Sequence, residues 1–415
     1  MNLRVAGAND SDREGVASRR AVMFEALIYP ATTGDFLGSY WRRRPMHARA
    51  ANRLTSARDI LRPEDIDAIL NAAAANANDF DFFMSGNSAD RRKFTGPGDY
   101  VMMNSLLGMY AGGGTIHVTN IQKYHQAMDS LCKTLQQELQ CDVEGDLWLT
   151  RMNSFDPYLH FDSHDIFVLQ TQGRKRWRLF EQIEVHENRA TAAVDWNVVG
   201  DPVLDILLEP GDLLYLPPYT PHAVTTVDEH SVQVGLGVHP TTWRQVLEQA
   251  LAITKDAPGP LQDVLPLAIA TDAIPPGALL EALSKIVGRA LAAVDPVSLD
   301  AANRRRFLED MTHARDAHFT SRVLGAASLD EGSAFERRPD TSSDVYLAAD
   351  GRAVLRFSGG GFFSGPSDLL EDLTFIAQAE GSMFAHDLPG RLDGKSRVLL
   401  VRKLVEAGFL RRRTT

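Results

Sequence analysis

Two short motifs that lie far apart in the chain carry the residue types of a metal site. The first is His160-Phe161-Asp162, and the second is Pro221-His222. Residues i and i+2 of an extended strand point to the same side, so His160 and Asp162 can reach one ion. Two neutral imidazoles and one carboxylate, with coordination positions left open, form the facial triad of non-haem Fe(II) oxygenases. The sequence therefore predicts that His160, Asp162 and His222 are metal ligands and catalytic residues.

The residues before His222 favour a metal site over a chance occurrence of the motif. An H-x-D pattern is common, and on its own it equally suits ordinary turn and core residues. Here residues 209–212 (EPGD) predict a turn, LLYLPP predicts a strand, and residues 219–221 (YTP) form a rigid approach to His222. We expect this strand to return beside the H-x-D motif, so that a distant histidine completes the site.

A lysine lies on the apolar side of the predicted strand KRWRL. Strand alternation places Lys175, Trp177 and Leu179 on one side, and Arg176 and Arg178 on the other. If the apolar side is the interior of a barrel, the buried ammonium needs an anion. The co-substrate 2-oxoglutarate supplies one, because it chelates iron through its 2-oxo acid end and offers its far carboxylate to a cation. We predict that Lys175 binds it; the alternative is a flipped strand with Lys175 in solvent and an arginine inside.

Three further residues are candidates for the same co-substrate pocket. Ser231 follows His230 at the start of a predicted strand and can provide a hydroxyl near the far carboxylate. Trp148 and Thr150 share one face of the segment DLWLT. These two residues either line the co-substrate pocket or belong to the barrel core, and we predict all three as co-substrate-binding residues.

The elements that must position these residues divide the chain into four parts. Residues 1–20 are polar and aperiodic, which predicts a disordered N-terminus. In residues 21–240, a helical segment precedes short runs of Val, Ile, Leu, Trp and Phe separated by turn residues, which predicts a sandwich or small barrel that carries the site. Residues 241–335 carry amphipathic helices. Residues 340–415 combine strands and helices in the order of a small winged-helix-like domain, and the predicted fold class is α+β.

The composition is that of a globular protein and excludes several classes. The formal net charge is −11, which argues against a nucleic-acid-binding protein because phosphate binding needs a basic face. The basic tail RRRTT is interpreted as a solvated helix C-terminus. No apolar run has the length of a transmembrane helix, and the polar N-terminus lacks the core of a signal peptide. Two cysteines cannot form a disulfide framework, so we expect a cytoplasmic protein without a membrane or nucleic-acid partner.

The motifs resemble those of the cupin-type JmjC oxygenases called ribosomal oxygenases. The similar segments are HFDSHDIFVLQTQGRKRWRLF, EPGDLLYLPPYTPHAV, HSVQVGLGV and FLGSYWRRRPMHARA. The resemblance implies a double-stranded β-helix barrel with a helical preface, a helical dimerisation module and a C-terminal winged helix. It implies iron ligands at His160, Asp162 and His222 and a co-substrate-binding basic residue at Lys175. This residue is lysine as in the animal histidine hydroxylases, whereas the bacterial arginine hydroxylase has arginine.

The same resemblance implies the activity and the partners of the chain. The cofactor would be Fe(II), with 2-oxoglutarate and O2 as co-substrates, and the product a hydroxylated side chain in a protein or peptide, with an arginine or histidine of a ribosomal protein as one candidate. The family uses its helical module to form homodimers. Here an apolar stripe is predicted, in which Leu279, Leu283, Ile286 and Ala290 recur at helical spacing and are flanked by Leu280, Val287, Leu291 and Val294. This stripe predicts an isologous dimer. The alternative is that this stripe packs only on the chain's own domains.

The segment before the H-x-D motif departs from the family. That segment is usually rich in glycine and proline, whereas this chain has TRMNSFDP at residues 150–157. We predict that Arg151, Asn153 and His164 lie on the substrate side. Strand parity also allows His164 to be a fourth neighbour of the metal, and a polar residue at the rim of the barrel is the plainer alternative.

Because the differences fall where the family recognises its substrate, a hydroxylase of peptide natural products remains an alternative. A non-catalytic cupin-type module that binds a partner is the alternative of a different class, and a metal-dependent isomerase or hydrolase would not need Lys175.

Overall fold

The computed structural model divides the chain into two compact units, Met1–Pro240 and Thr241–Thr415, and each unit is described by itself. The predicted disordered segment 1–20 and the candidate residue Asn153 lie outside the residues that the structure describes. The described residues are 22–52, 60–84, 86–152, 159–183, 191–228, 230–254, 276–311, 319–327, 329–338 and 341–413.

The helices of the first unit pack on one face of a large sheet. They are α1 (Val22–Ile28), α2 (Thr33–Ser39), α3 (Pro63–Ala73), α4 (Met103–Ala111) and α5 (Gln126–Leu139). In α5 the buried residues Met128, Leu131, Cys132 and Leu135 recur at helical spacing. They share one apolar core with alternate residues of the sheet strands, such as Val234.

Two antiparallel sheets form the rest of the first unit. The strands of the large sheet are β1 (Met46–Ala48), β2 (Phe80–Met84), β3 (Asn87–Ser88), β4 (Gly114–Val118), β5 (Asp142–Arg151), β7 (Asp165–Gln172), β11 (Leu213–Leu216) and β13 (His230–His239). Those of the small sheet are β6 (His160–Asp162), β8 (Lys175–Leu179), β9 (Thr191–Ala193), β10 (Leu204–Leu208) and β12 (His222–Thr226). The large sheet has the order β1-β11-β7-β13-β5-β4-β2-β3, and the small sheet has the order β10-β8-β12-β6-β9.

A second apolar core lies between the two sheets. Val168 and Leu214 of the large sheet pack there with Trp177, Leu208 and Val224 of the small sheet. On the large sheet these residues alternate with others that face the helices, because successive side chains of a strand point to opposite faces. The face of the large sheet that is opposite the helices is called the inner face below.

The second unit begins with helices and ends with strands and helices around its own core. The helices are α6 (Trp243–Ile253), α7 (Pro276–Ala292), α8 (Pro296–Asp310), a π-helix (Thr320–Gly325), α9 (Leu370–Gln378) and α10 (Gly394–Ala407). The strands are β14 (Phe335–Arg337), β15 (Ser343–Leu347), β16 (Ala353–Phe357), β17 (Gly361–Gly365), β18 (Ser382–Met383) and β19 (Leu410–Arg412), in two sheets of order β18-β14-β19 and β15-β16-β17. Asp295 and Asp393 cap α8 and α10 by accepting hydrogen bonds from the backbone N–H of Ser298 and Ser396. None of the helices in the described part of the chain is long and apolar enough to cross a membrane.

Candidate metal centre

Two neighbouring strands of the small sheet bring the three predicted metal ligands together. His222, the first residue of β12, is the cross-strand partner of His160, the first residue of β6. Directly opposed residues present their side chains on the same face of a sheet, and the i, i+2 spacing places Asp162 on that face as well. The two imidazole rings accordingly lie 4.2 Å apart between centroids.

The donor atoms of these residues converge in the geometry of a metal site. Oδ2 of Asp162 lies 3.9 Å from Nε2 of His160 and 3.7 Å from Nε2 of His222, and the three donor atoms all lie within 4.8 Å of one another. The Nδ1–H of His222 donates to the carbonyl oxygen of Thr220 at 3.0 Å. This bond fixes the tautomer in which Nε2 keeps its lone pair for a metal. A set of two imidazoles and one carboxylate fits Fe(II), so His160, Asp162 and His222 would hold the ion.

The loop before His222 is tied to the strand that carries the other two ligands. The backbone N–H of Tyr219 donates to the carbonyl oxygen of Asp162 at 2.7 Å, and the Tyr219 ring contacts Phe161 at 5.8 Å between centroids. Tyr219 has a φ of +60°, a conformation that a non-glycine residue adopts rarely. From the sequence, Tyr219 was expected only to be part of the rigid approach to His222, and the flanking Pro218 and Thr220 gave no sign of its conformation.

Lys175 is directed into the barrel, as the alternation of its strand predicts. Its side chain is 0% exposed, and Trp177 and Leu179 are buried on the same side of β8. Arg176 lies on the other side, where it forms a bidentate ion pair with Asp205 through hydrogen bonds of 2.7 and 2.6 Å. The flipped strand, with an arginine inside and Lys175 in solvent, is therefore excluded by the structure.

Buried polar atoms without a hydrogen-bond partner lie beside Lys175, which indicates that this part of the barrel accommodates a polar ligand. Thr226 on β12 is the cross-strand partner of Lys175. Among the described residues, the hydroxyl of Thr226 and the indole N–H of Trp177 are buried without a hydrogen-bond partner. Buried donors of this kind normally have a partner, and the carboxylate of 2-oxoglutarate would provide one. Thr226 was not predicted from the sequence, although it shares strand parity with His222.

The other predicted pocket residues lie in a row across the large sheet. Ser231 on β13 is opposite Thr150 on β5, which in turn is opposite Thr115 on β4. The hydroxyl of Ser231 accepts a hydrogen bond of 2.7 Å from Nε2 of Gln170, and Thr115 donates to Thr150 at 3.4 Å. All of these side chains are buried. The hydroxyl row thus lines the inner face of the sheet.

Trp148 contributes a ring to the same inner face. It stacks on His117 at 3.8 Å between centroids. The imidazole of His117 lies between two carboxylates, 3.3 Å from Asp146 and 3.8 Å from Asp81. Burial lowers the pKa of His117, but both carboxylates outweigh this effect and raise the pKa to about 9. Trp148 therefore packs against a cation at neutral pH, and its assignment to the co-substrate pocket or to the barrel core stays a prediction.

The predicted substrate-side residues do not form one group. The guanidinium of Arg151 lies over the ring of Tyr110 at 5.9 Å. His164 follows β6, and its ring stacks on His239 at 4.5 Å between centroids. Burial lowers the pKa of His164, whereas the hydrogen bond with Glu144 raises the pKa of His239. The structure thus brings His164 to His239 and Glu144.

A barrel of two antiparallel sheets with two histidines and one aspartate on adjacent strands defines the class of cupin-type metalloproteins. Within that class, residues 117–246 match the JmjC domain family. The α+β fold with a JmjC/cupin barrel and the resemblance to the JmjC ribosomal oxygenases, both predicted from the sequence, are confirmed by this match and by the relatives described next.

Curated relatives and solved structures are similar to this chain over different extents. The bifunctional lysine-specific demethylase and histidyl-hydroxylase NO66 of Drosophila persimilis is 28% identical over 56% of this chain and 36% of its own length. The NO66 of Drosophila mojavensis is 30% identical over 52% of this chain and 25% of its own length. This chain therefore spans about a third or less of the length of these relatives.

The solved structures extend the similarity of fold to nearly the whole chain. The X-ray structure of Escherichia coli ycfD has a TM-score of 0.56 and 17% identity, and the match covers 92% of this chain and 98% of that one. A structure of YcfD described as a ribosomal oxygenase in complex with cobalt and 2-oxoglutarate has a TM-score of 0.54 and 16% identity, with 93% and 99% covered. At these identities the similarity is one of fold.

Proposed function

We propose that this chain is an Fe(II)- and 2-oxoglutarate-dependent oxygenase that hydroxylates an amino-acid side chain of a protein or peptide. The observation that carries the proposal is the combination, in one barrel, of the His160, Asp162 and His222 donor set with the buried Lys175. A cupin-type isomerase or hydrolase needs a metal but has no use for a buried cation that receives a dicarboxylate. When bound, Fe(II) and 2-oxoglutarate would supply the activation of O2 that hydroxylation requires.

The residues of the chain hold, orient and shield the reacting groups. His160, Asp162 and His222 would hold the ion through two imidazoles and one carboxylate, a ligand set that leaves coordination positions for the co-substrates. Lys175 would pair with the far carboxylate of 2-oxoglutarate, to which the hydroxyl of Thr226 and the indole N–H of Trp177 can donate. The hydroxyl of Ser231 is a further donor. The apolar core between the sheets excludes water from this end of the pocket.

The relatives support a protein substrate. Histidyl-hydroxylase is part of the name of the NO66 proteins, and YcfD is described as a ribosomal oxygenase. An arginine or histidine of a ribosomal protein is therefore the first candidate for this chain. The unusual segment 150–157 favours a second candidate, a peptide natural product, because it differs from the family where the substrate is recognised.

Oxygen incorporation into host proteins tests this function. The purified chain with Fe(II), 2-oxoglutarate and O2 is incubated with ribosomal proteins, and in parallel with the peptide fraction of the host. We expect one residue to gain the mass of one oxygen atom by peptide mass spectrometry, together with stoichiometric succinate. A mass gain confined to the peptide fraction would identify a peptide natural product, the second candidate, as the substrate. Absence of both oxygen transfer and succinate would favour the non-catalytic partner-binding module.

We further propose that the protein is a cytoplasmic homodimer whose helices α6 to α8 form the dimerisation module, followed by a winged-helix-like domain. The apolar stripe of α7 supports the dimer, because Leu280 and Leu283 are 64% and 50% exposed. An isologous contact buries the same stripe on both copies. The strand and helix order of residues 343–407 supports the winged-helix-like assignment.

Charging the stripe tests the dimer. We expect Leu283→Glu combined with Val287→Glu to convert the dimer into a folded monomer, because like charges would face each other across the contact. The measurement is light scattering with circular dichroism, and Lys285→Glu on the polar side of α7 is the matched control that should remain dimeric. A mass near 45.7 kDa for the unmodified protein at micromolar concentration would contradict the dimer. Unfolding of the charged variant would show instead that the stripe packs on the chain's own domains.

A further inference from the structure

A second group of metal-ligating side chains lies on the inner face of the large sheet. Glu144 comes from β5, His239 ends β13, and His164 lies between β6 and β7. One donor atom from each residue lies within 4.8 Å of the other two. Nε2 of His239 donates to Oε1 of Glu144 at 3.1 Å. This group has no residue in common with His160, Asp162 and His222.

A glycine gives these side chains room to converge. Gly237 on β13 is the cross-strand partner of Glu144. A Cβ atom at Gly237 would lie 3.2 Å from Cγ of Glu144 and 3.2 Å from Nε2 of His164, tighter than nine in ten real Cβ contacts, so these side chains would have to shift by a few tenths of an ångström. The missing side chain therefore leaves the space in which the imidazole of His164 and the carboxylate of Glu144 approach each other.

We propose that Glu144, His164 and His239 bind a second divalent cation of the zinc type. Two imidazoles and one carboxylate are a ligand set of zinc sites that keep one coordination position open. Tetrahedral ligands at ~2.0–2.1 Å from zinc lie roughly 3.3 Å apart, close to the 3.1 Å between His239 and Glu144. An ion pair between these two residues alone would not require His164, whose Nε2 faces the same space beside Gly237 as the carboxylate of Glu144.

The charge around the group suits a cation. Asp142 and Asp146 flank Glu144 on β5 and share its side of the strand by parity. The carboxylate of Asp142 adds negative charge, which favours a bound cation over a cluster of side chains alone, whereas Asp146 is paired with His117. With three protein ligands, the fourth position of the ion is open to water or to a donor atom of the substrate.

Metal stoichiometry tests the second site independently of catalysis. Tag-free protein is dialysed against Zn²⁺ and analysed by elemental mass spectrometry. We expect two equivalents of Zn²⁺ per chain for the unmodified protein, and one equivalent for the variant that combines Asp162→Ala with His222→Ala. We also expect one equivalent for His164→Ala combined with His239→Ala, and none when the four changes are combined. His386→Ala, which removes a histidine that is 73% exposed in the second unit, is the control and should keep two.

A variant that retains every ligand sharpens the test. Gly237→Ala fills the space between Glu144 and His164. It should therefore abolish zinc binding at the second site and leave the zinc equivalent of the first site in place. If circular dichroism shows that the His164→Ala, His239→Ala variant does not fold, Gly237→Ala replaces it in the stoichiometry measurement. Co²⁺ substitution in the Asp162→Ala, His222→Ala background should give the intense visible bands of a tetrahedral ion, and these bands should disappear with Gly237→Ala. One equivalent in the unmodified chain, or two in the His164→Ala, His239→Ala variant, would overturn the proposal.

Discussion

Replacement of Asp162 by alanine is expected to abolish turnover of 2-oxoglutarate while the fold remains intact. Asp162 supplies the only carboxylate of the proposed iron ligands, and its Oδ2 lies within 4 Å of both imidazole donors. Changing a residue that hydrogen-bonds to a metal ligand typically lowers metal affinity or activity about 10- to 100-fold. Loss of a ligand should exceed that range. The measurement is succinate release at saturating Fe(II) in chloride-free buffer, because a halide can occupy the position of a missing carboxylate.

A matched acidic residue provides the control for this variant. Asp228 forms an exposed ion pair with Arg174 at 2.8 Å, so Asp228→Ala removes a carboxylate from the same unit without touching the donor set. We expect Asp228→Ala to turn over 2-oxoglutarate at the unmodified rate. Full turnover by Asp162→Ala would contradict the assignment of the triad, whatever His160→Ala and His222→Ala do.

The Lys175→Ala variant is expected to require about 10- to 100-fold more 2-oxoglutarate and to bind iron nearly as well as the unmodified protein. A charge-assisted hydrogen bond contributes ~1.5–3 kcal/mol, which corresponds to about one to two decades in affinity. The apparent KM for 2-oxoglutarate is the measurement, with iron binding determined separately. Thr226→Val should raise the same KM by a smaller factor, because a neutral hydroxyl contributes only ~0.5–1.5 kcal/mol.

Arg176→Ala is the control for the lysine variant, since it removes a cation from the outer side of the same strand. Its ion pair with Asp205 lies at the surface and should contribute little to stability. The KM for 2-oxoglutarate should therefore be unchanged in Arg176→Ala. An unchanged KM in Lys175→Ala would mean that another cation receives the far carboxylate.

Local patterns in the sequence were sufficient for much of the fold and for the core of the candidate site. The two-residue alternation of KRWRL predicted the burial of Lys175, and the H-x-D spacing predicted the shared face of His160 and Asp162. The turn at residues 209–212 precedes β11 as expected. Each of these features depends on a few consecutive residues.

The features that the sequence did not predict depend on pairing between distant strands. Thr226 lies beside Lys175 only because β12 is inserted between β8 and β6 in the small sheet. Gly237 meets Glu144 because of the register of β13 against β5. Neither strand order nor register can be read from one segment, since both depend on how the whole barrel closes.

The turn between β7 and β8 determines which kinds of sequence change this protein can accept during evolution. Gly173 has a φ of +61°, and a Cβ there would lie 2.0 Å from the carbonyl oxygen of His230. Insertion or deletion of one residue at this turn would exchange the two sides of β8, so that Arg176 would enter the barrel and Lys175 and Trp177 would leave it. Homologues should therefore vary in residue type along the outer side of β8 while the length of this hairpin stays constant.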